Sequence, residues 1–154
     1  MIRALTPGER ALARGVFGDA LALDPIRLLA APRPLTRAFT AGRHAFRDWI
    51  VWPRAGLPAD FAAAPLNPRA VFVHELVHVW QAQRGVGLIG AKLRAGDRPS
   101  SYAYPIDEGC RWDNLNIEQQ ASLVEHRYRL AEGGTVPGDR GFYDRVCPFT
   151  PPAI

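Results

Sequence analysis

His74, Glu75 and His78 form the pattern His-Glu-x-x-His within the segment Val71 to Gln81. On a helix, residues four apart lie on one face, one turn above each other. His74 and His78 can therefore turn their imidazoles toward one metal ion. Glu75 is rotated by about 100° from His74, so its carboxylate stands beside the ion rather than on it. A general base for a water activated by zinc belongs in that place. The intervening residues Leu76, Val77 and Val79 are apolar, which predicts a buried helix with its histidines facing an interior cleft. Two histidines and a carboxylate in such surroundings are costly to bury without partners, which weighs against an accidental match.

The elements that must carry these residues can be read from local signals. Asn67-Pro68 predicts a helix start, with Asn67 as N-cap and Pro68 at the first helical position. Ala70 to Gln83 contains no breaker, and Gly85 supplies a stop. Asn116 to Ala131 is the second strong helix: Asn116 can cap it, Glu118 sits in its first turn, and Gly133-Gly134 end it. Thr6-Pro7-Gly8-Glu9 opens a third helix over residues 7 to 17. Ile26 to Ala30 predicts a short strand. Residues 37 to 42 and 43 to 52 predict a hairpin that turns near Ala41-Gly42. A short helical piece is expected near Leu88 to Arg94, and a brief extended segment at Tyr102-Ala103-Tyr104. From Thr135 onward, the prolines and glycines predict a tail draped on the surface. The expected fold class is α+β: one domain over residues 1 to 154, with two packed metal-bearing helices beside a small antiparallel sheet.

Two histidines do not complete a catalytic zinc site, which usually takes three protein ligands and water. The extended pattern with a third histidine fails, because Gln81 and Arg84 stand where a glycine and that histidine would be. A carboxylate on the next long helix is the natural source. Glu118 is the first choice and Glu125, two turns further on, the second. Glu108, Asp107, Asp113 and His126 are weaker candidates.

Together, His74 to Gln81 and the segment Asn116-Ile117-Glu118-Gln119-Gln120-Ala121 resemble a group of bacterial zinc metallopeptidases, Vgr-related or Rhs-associated, that look like minimal gluzincins. Tyr102-Ala103-Tyr104 and the opening Leu5-Thr6-Pro7-Gly8-Glu9 share the likeness. The resemblance implies that Glu118 is the third zinc ligand. It also marks a departure. Thermolysin-like gluzincins place an Asp four residues after the ligand Glu to orient a histidine, and here that residue is Ser122. A hydroxyl accepts a hydrogen bond but lacks the charge that raises ligand basicity. Asn114, Asn116 or a backbone carbonyl could take the orienting role.

The expected function is zinc-assisted peptide or amide hydrolysis. His74, His78 and Glu118 hold the ion and Glu75 moves the proton. Tyr104, ahead of Tyr102 and Arg111, is the expected donor to the developing oxyanion. The alternative is a catalytically weak or inactive zinc-stabilised accessory module of a secretion or toxin-delivery system; a purely structural site has no need of Glu75.

Composition sets the outer bounds. The chain has 154 residues, 47% hydrophobic and 22% charged, with a net charge of +4, as expected of one soluble domain. Its basic residues are dispersed, with no run and no interleaved aromatics, which argues against nucleic-acid binding. No stretch approaches a membrane span. No apolar leader is present near Met1, so a cytoplasmic location is the default expectation, with signal-less export open. Cys110 and Cys147 are expected to be free thiols. A peptide or protein substrate and a secretion-system or toxin partner are the expected partners.

Overall fold

The computed structural model describes residues 1 to 150. In chain order the elements are β1 (Ile2–Arg3), α1 (Pro7–Phe17), β2 (Ile26–Ala31), β3 (Phe39–His44), β4 (Arg47–Pro53), α2 (Leu66–Gln83), α3 (Leu88–Ala95), α4 (Pro99–Tyr102), α5 (Ile117–Ala131) and α6 (Arg140–Val146). The class is α+β, as expected. No helix among the described residues is long and apolar enough to cross a membrane.

Caps set the helix boundaries. Thr6 and Glu9 form a reciprocal capping box at α1, and Asn116 and Gln119 form another at α5. The start of α2 differs from expectation: the helix begins at Leu66 after Pro65. Asn67 does not cap it, because its Oδ1 accepts a bond from Arg129 on α5 at 2.8 Å. A signal that reads as a local cap is used as a tie between two helices.

The sheet is mixed rather than antiparallel, in the order β1-β2-β4-β3. β4 pairs antiparallel with β3 and parallel with β2. Burial explains the arrangement. β4 carries Ile50, Val51 and Trp52, all buried, and so takes a central place. β3 carries the exposed Phe39, Arg43 and His44 and suits an edge. The hairpin turns at Ala45 and Phe46, both with positive φ (51° and 61°), rather than at Ala41-Gly42. Gly42 instead sits where the register shifts, with φ 85°; there a glycine relieves a bulge.

α2 packs on α5 at one side and on β3 and β4 at the other. Phe61 stacks on Phe72 at 4.4 Å between centroids and meets Trp52 edge-on at 4.6 Å. The segment after Thr135 is not a surface tail. Asp139 caps α6, whose Phe142, Tyr143 and Val146 are buried, and Phe149 packs against Phe17 at 4.7 Å and Trp80 at 4.9 Å. The apolar spacing at residues 142, 143 and 146 was the overlooked signal. Residues 151 to 154 of that expected tail lie outside the described residues.

Candidate metal centre

The α-helical rise puts His74 and His78 on the same face of α2, with ring centroids 5.0 Å apart. α5 crosses that face and presents Glu118 from its first turn. His74 Nε2 lies 3.2 Å from Glu118 Oε2, and His78 Nε2 lies 3.3 Å from Glu118 Oε1. The three ligand atoms lie within 4.8 Å of one another, and all three residues are buried or nearly so. Glu118, the first choice from sequence, therefore meets both histidines.

Hydrogen bonds on the far side of each ring fix which nitrogen faces inward. The Gln81 amide nitrogen donates to the Ile117 carbonyl at 3.1 Å and to Gln120 Oε1 at 3.0 Å. Its oxygen must therefore face His78 Nδ1, 2.8 Å away, and that nitrogen donates. His74 Nδ1 donates likewise to Glu125 Oε2 at 2.9 Å. Glu125 is itself clasped by Arg129 at 2.9 and 2.8 Å. With Nδ1 committed outward as a donor, each ring in its neutral form would turn an Nε2 lone pair toward a carboxylate that also offers only lone pairs. Acceptors facing acceptors need a positive charge between them. A proton can serve one such meeting; a divalent cation serves all three groups together, and an N, N, O donor set suits zinc. The residues present fit a metal.

In the absence of an ion, the same acceptors favour a proton on His74. Burial opposes a charged His74, but its hydrogen bonds to Glu118 and Glu125 outweigh this and push its pKa up to about 9. Burial likewise tends to raise Glu118, yet its hydrogen bonds to His74 and His78 hold it well below the usual carboxylate range. Glu125 is lowered for the same reason, with Arg129 adding to the effect of His74.

Glu75 lies beside this cluster, buried, with Oε2 accepting from the Thr40 hydroxyl of β3 at 2.8 Å. The cluster forms the floor of a cavity of about 1570 Å³, lined also by the β2–β3 connection, by Trp52 and by Tyr102. Tyr104 is not there. Its hydroxyl is hydrogen-bonded to His126 and to Tyr143 in the packing between α5 and α6. Because α4 ends at Tyr102 and the chain turns extended at Ala103, the two rings go to different places: Tyr102 has its ring 6.3 Å from that of His74. Arg111 also points away, binding the carbonyls of Glu108 and Cys110. Asn116 serves its own helix cap, so neither it nor Ser122 orients a histidine. Gln81 and Glu125 do. The signal for both was spacing, since Gln81 is one turn beyond His78 and Glu125 two turns beyond Glu118. Cys110 and Cys147 are free and buried.

No protein-family model matches the chain. Its sequence is 34% identical, over 137 aligned residues, to the type VI secretion system spike protein VgrG2b of Pseudomonas aeruginosa, covering 79% of this chain. Its fold superposes on the effector domain of the same Pseudomonas aeruginosa VgrG2b with a TM-score of 0.68 and 27% identity, covering 93% of this chain and 80% of that domain. The chain is homologous to the VgrG2b effector domain. It spans only 12% of the length of the spike protein. The Vgr-related part of the sequence resemblance is thereby met.

Proposed function

We propose that this chain is a zinc-dependent hydrolase of peptide or amide bonds, delivered as an effector domain by type VI secretion. The carrying observation is the convergence of two imidazole Nε2 atoms and a carboxylate at the lining of an open cleft, with a second carboxylate alongside. His74, His78 and Glu118 would hold the ion. When bound, zinc supplies Lewis acidity, drawing the pKa of water toward about 7 and polarising a carbonyl.

The remaining work falls to the chain. Glu75 is placed to take a proton from water and to pass one to the leaving amine. Thr40 holds Glu75 by Oε2, which leaves Oε1 for the transfer. Gln81 and Glu125 keep the two rings turned so that Nε2 faces inward. Tyr102 replaces Tyr104 as the phenol lining the cleft, with its hydroxyl proton donated to Asp97 at 2.7 Å. The homology to a secreted effector domain supports delivery, with the secretion machinery as partner.

The test is hydrolysis of a fluorogenic peptide mixture by the zinc-loaded chain and by Glu75→Gln. The variant is expected to keep zinc and to lose about 10²- to 10⁴-fold in rate, the usual contribution of a general base. Equal rates would remove Glu75 from the mechanism. Zinc retention with no hydrolysis by either protein would favour the zinc-stabilised accessory module.

A further inference from the structure

The cleft carries positive charge that the metal centre leaves unused. Its acids are accounted for: Glu75 and Glu118 belong to the centre, Glu125 is held by His74 and Arg129, and Asp97 by Arg37 and Tyr102. Its bases are not. Arg33, Arg54 and Lys92 also line the cleft, and among the described residues none of them forms an ion pair.

The sheet explains why arginines gather on one rim of the cleft. β2 and β4 run parallel with Ala31 opposite Pro53. Arg33 and Arg54 therefore leave adjacent strands at the same end of the sheet, where strands lie about 4.8 Å apart. Arg37 sits on the same β2–β3 connection, just before β3 begins. Between these charges the lining is apolar, with Leu35, Phe39, Trp52 and Val71.

We propose that this arginine corner binds a carboxylate of the substrate, so that the chain acts on peptides bearing an acidic group close to the bond it cleaves. The proposal rests on the hydrolase reading for the identity of the ligand as substrate. Guanidinium forks match carboxylates in a two-pronged geometry. The apolar side chains between the arginines favour a peptide over a nucleic-acid backbone, which would set charge against them. Arg37 already meets a carboxylate here, through a single long contact. It meets the Asp97 carboxylate at 3.4 Å, with side chains 71% and 73% exposed. A pair so solvated contributes little, so an incoming carboxylate can replace Asp97 at small cost. Asp97 would keep the hydrogen bond from the Tyr102 hydroxyl at 2.7 Å.

The experiment measures binding, so it stands whether or not hydrolysis is found. Fluorescent peptides of one apolar scaffold carry internal Glu, Gln or Lys, each with a free or an amidated C-terminus, and are titrated by anisotropy against zinc-loaded Glu75→Gln. The Glu peptide is expected to bind about two- to fivefold more tightly than the Gln peptide, as for solvent-exposed charged pairs. The Arg33→Ala, Arg37→Ala, Arg54→Ala triple variant should lose that preference, and Arg37→Glu with Arg54→Glu should turn it toward Lys. A preference that survives C-terminal amidation assigns the carboxylate to a side chain; one that follows the free terminus assigns it to the chain end. Arg14→Glu with Arg140→Glu changes net charge as much as the double reversal but away from the cleft, and should leave the preference intact. Equal binding of Glu and Gln peptides overturns the proposal. So does an equal loss in the Arg14 and Arg140 control, or displacement of the Glu peptide by an oligonucleotide in preference to unlabelled Glu peptide.

Discussion

Removing the Glu125 carboxylate should weaken zinc binding although Glu125 is not placed as a ligand. Its Oε2 accepts from His74 Nδ1 at 2.9 Å, so it fixes the ring and makes Nε2 a better donor. Loss of such a partner typically costs about 10- to 100-fold in metal affinity, or about 1.4 to 2.8 kcal/mol. Glu125→Ala should reach the upper end, because it leaves the His74 N–H without an acceptor. Glu125→Gln keeps an acceptor without the charge and should lie near the lower end. The metal-free fold should lose about 1 to 3 kcal/mol, because the pair's side chains are only 21% and 15% exposed and the His74 N–H loses its acceptor; Arg129 keeps Asn67 at 2.8 Å. Competition against a chromophoric zinc chelator at neutral pH reads the affinity, and thermal melts of the metal-free proteins read the fold. Ser122→Ala is the internal comparison and should leave affinity unchanged. Parental affinity in Glu125→Ala, or a larger loss in Ser122→Ala, would refute the assignment of the orienting carboxylate.

Other consequences follow from the same geometry. Thr40→Val removes the hydroxyl that holds Glu75 at 2.8 Å; peptide hydrolysis should fall about tenfold, the worth of one hydrogen bond to a charged group, while zinc content by elemental analysis stays constant. Tyr104→Phe should lower the melting temperature without altering zinc content or hydrolysis, because its hydroxyl serves His126 and Tyr143 and not the cleft; a selective loss of hydrolysis would return Tyr104 to the site. Phe149→Ala empties a buried position between Phe17 and Trp80 and should cost about 3 to 5 kcal/mol by chemical denaturation; a neutral effect would restore the view of the last segment as a surface tail.

Much of this was legible in the sequence where a local rule decides the outcome. Thr6 with Glu9, and Asn116 with Gln119, are short-range signals, and the helices they open stand where expected. The histidine spacing and the position of Glu118 on the next long helix were readable for the same reason: helical periodicity turns sequence distance into a shared face. Long-range choices were not readable. The parallel pairing of β2 with β4 depends on which strand is apolar enough for the centre of the sheet, a comparison between segments rather than within one. Gly42 reads as a turn in sequence because a glycine in a bulge and a glycine in a turn meet the same need for positive φ. Sequence alone favours Tyr104 over Tyr102, because nothing local shows that a helix ends between them and separates their rings. The orienting partner was sought at Ser122 and at nearby asparagines, whereas crossing of α2 and α5 brings Glu125 to His74 from further along the helix.

The account turns on a metal held by His74, His78 and Glu118. The most direct measurement is elemental analysis of the purified native chain beside His78→Ala. The account predicts about one zinc per chain, as catalytic sites of this ligand set hold, and its loss in the variant with secondary structure retained by circular dichroism. No tightly held metal in the native chain, even after reconstitution with zinc, or equal zinc in both proteins, would contradict it.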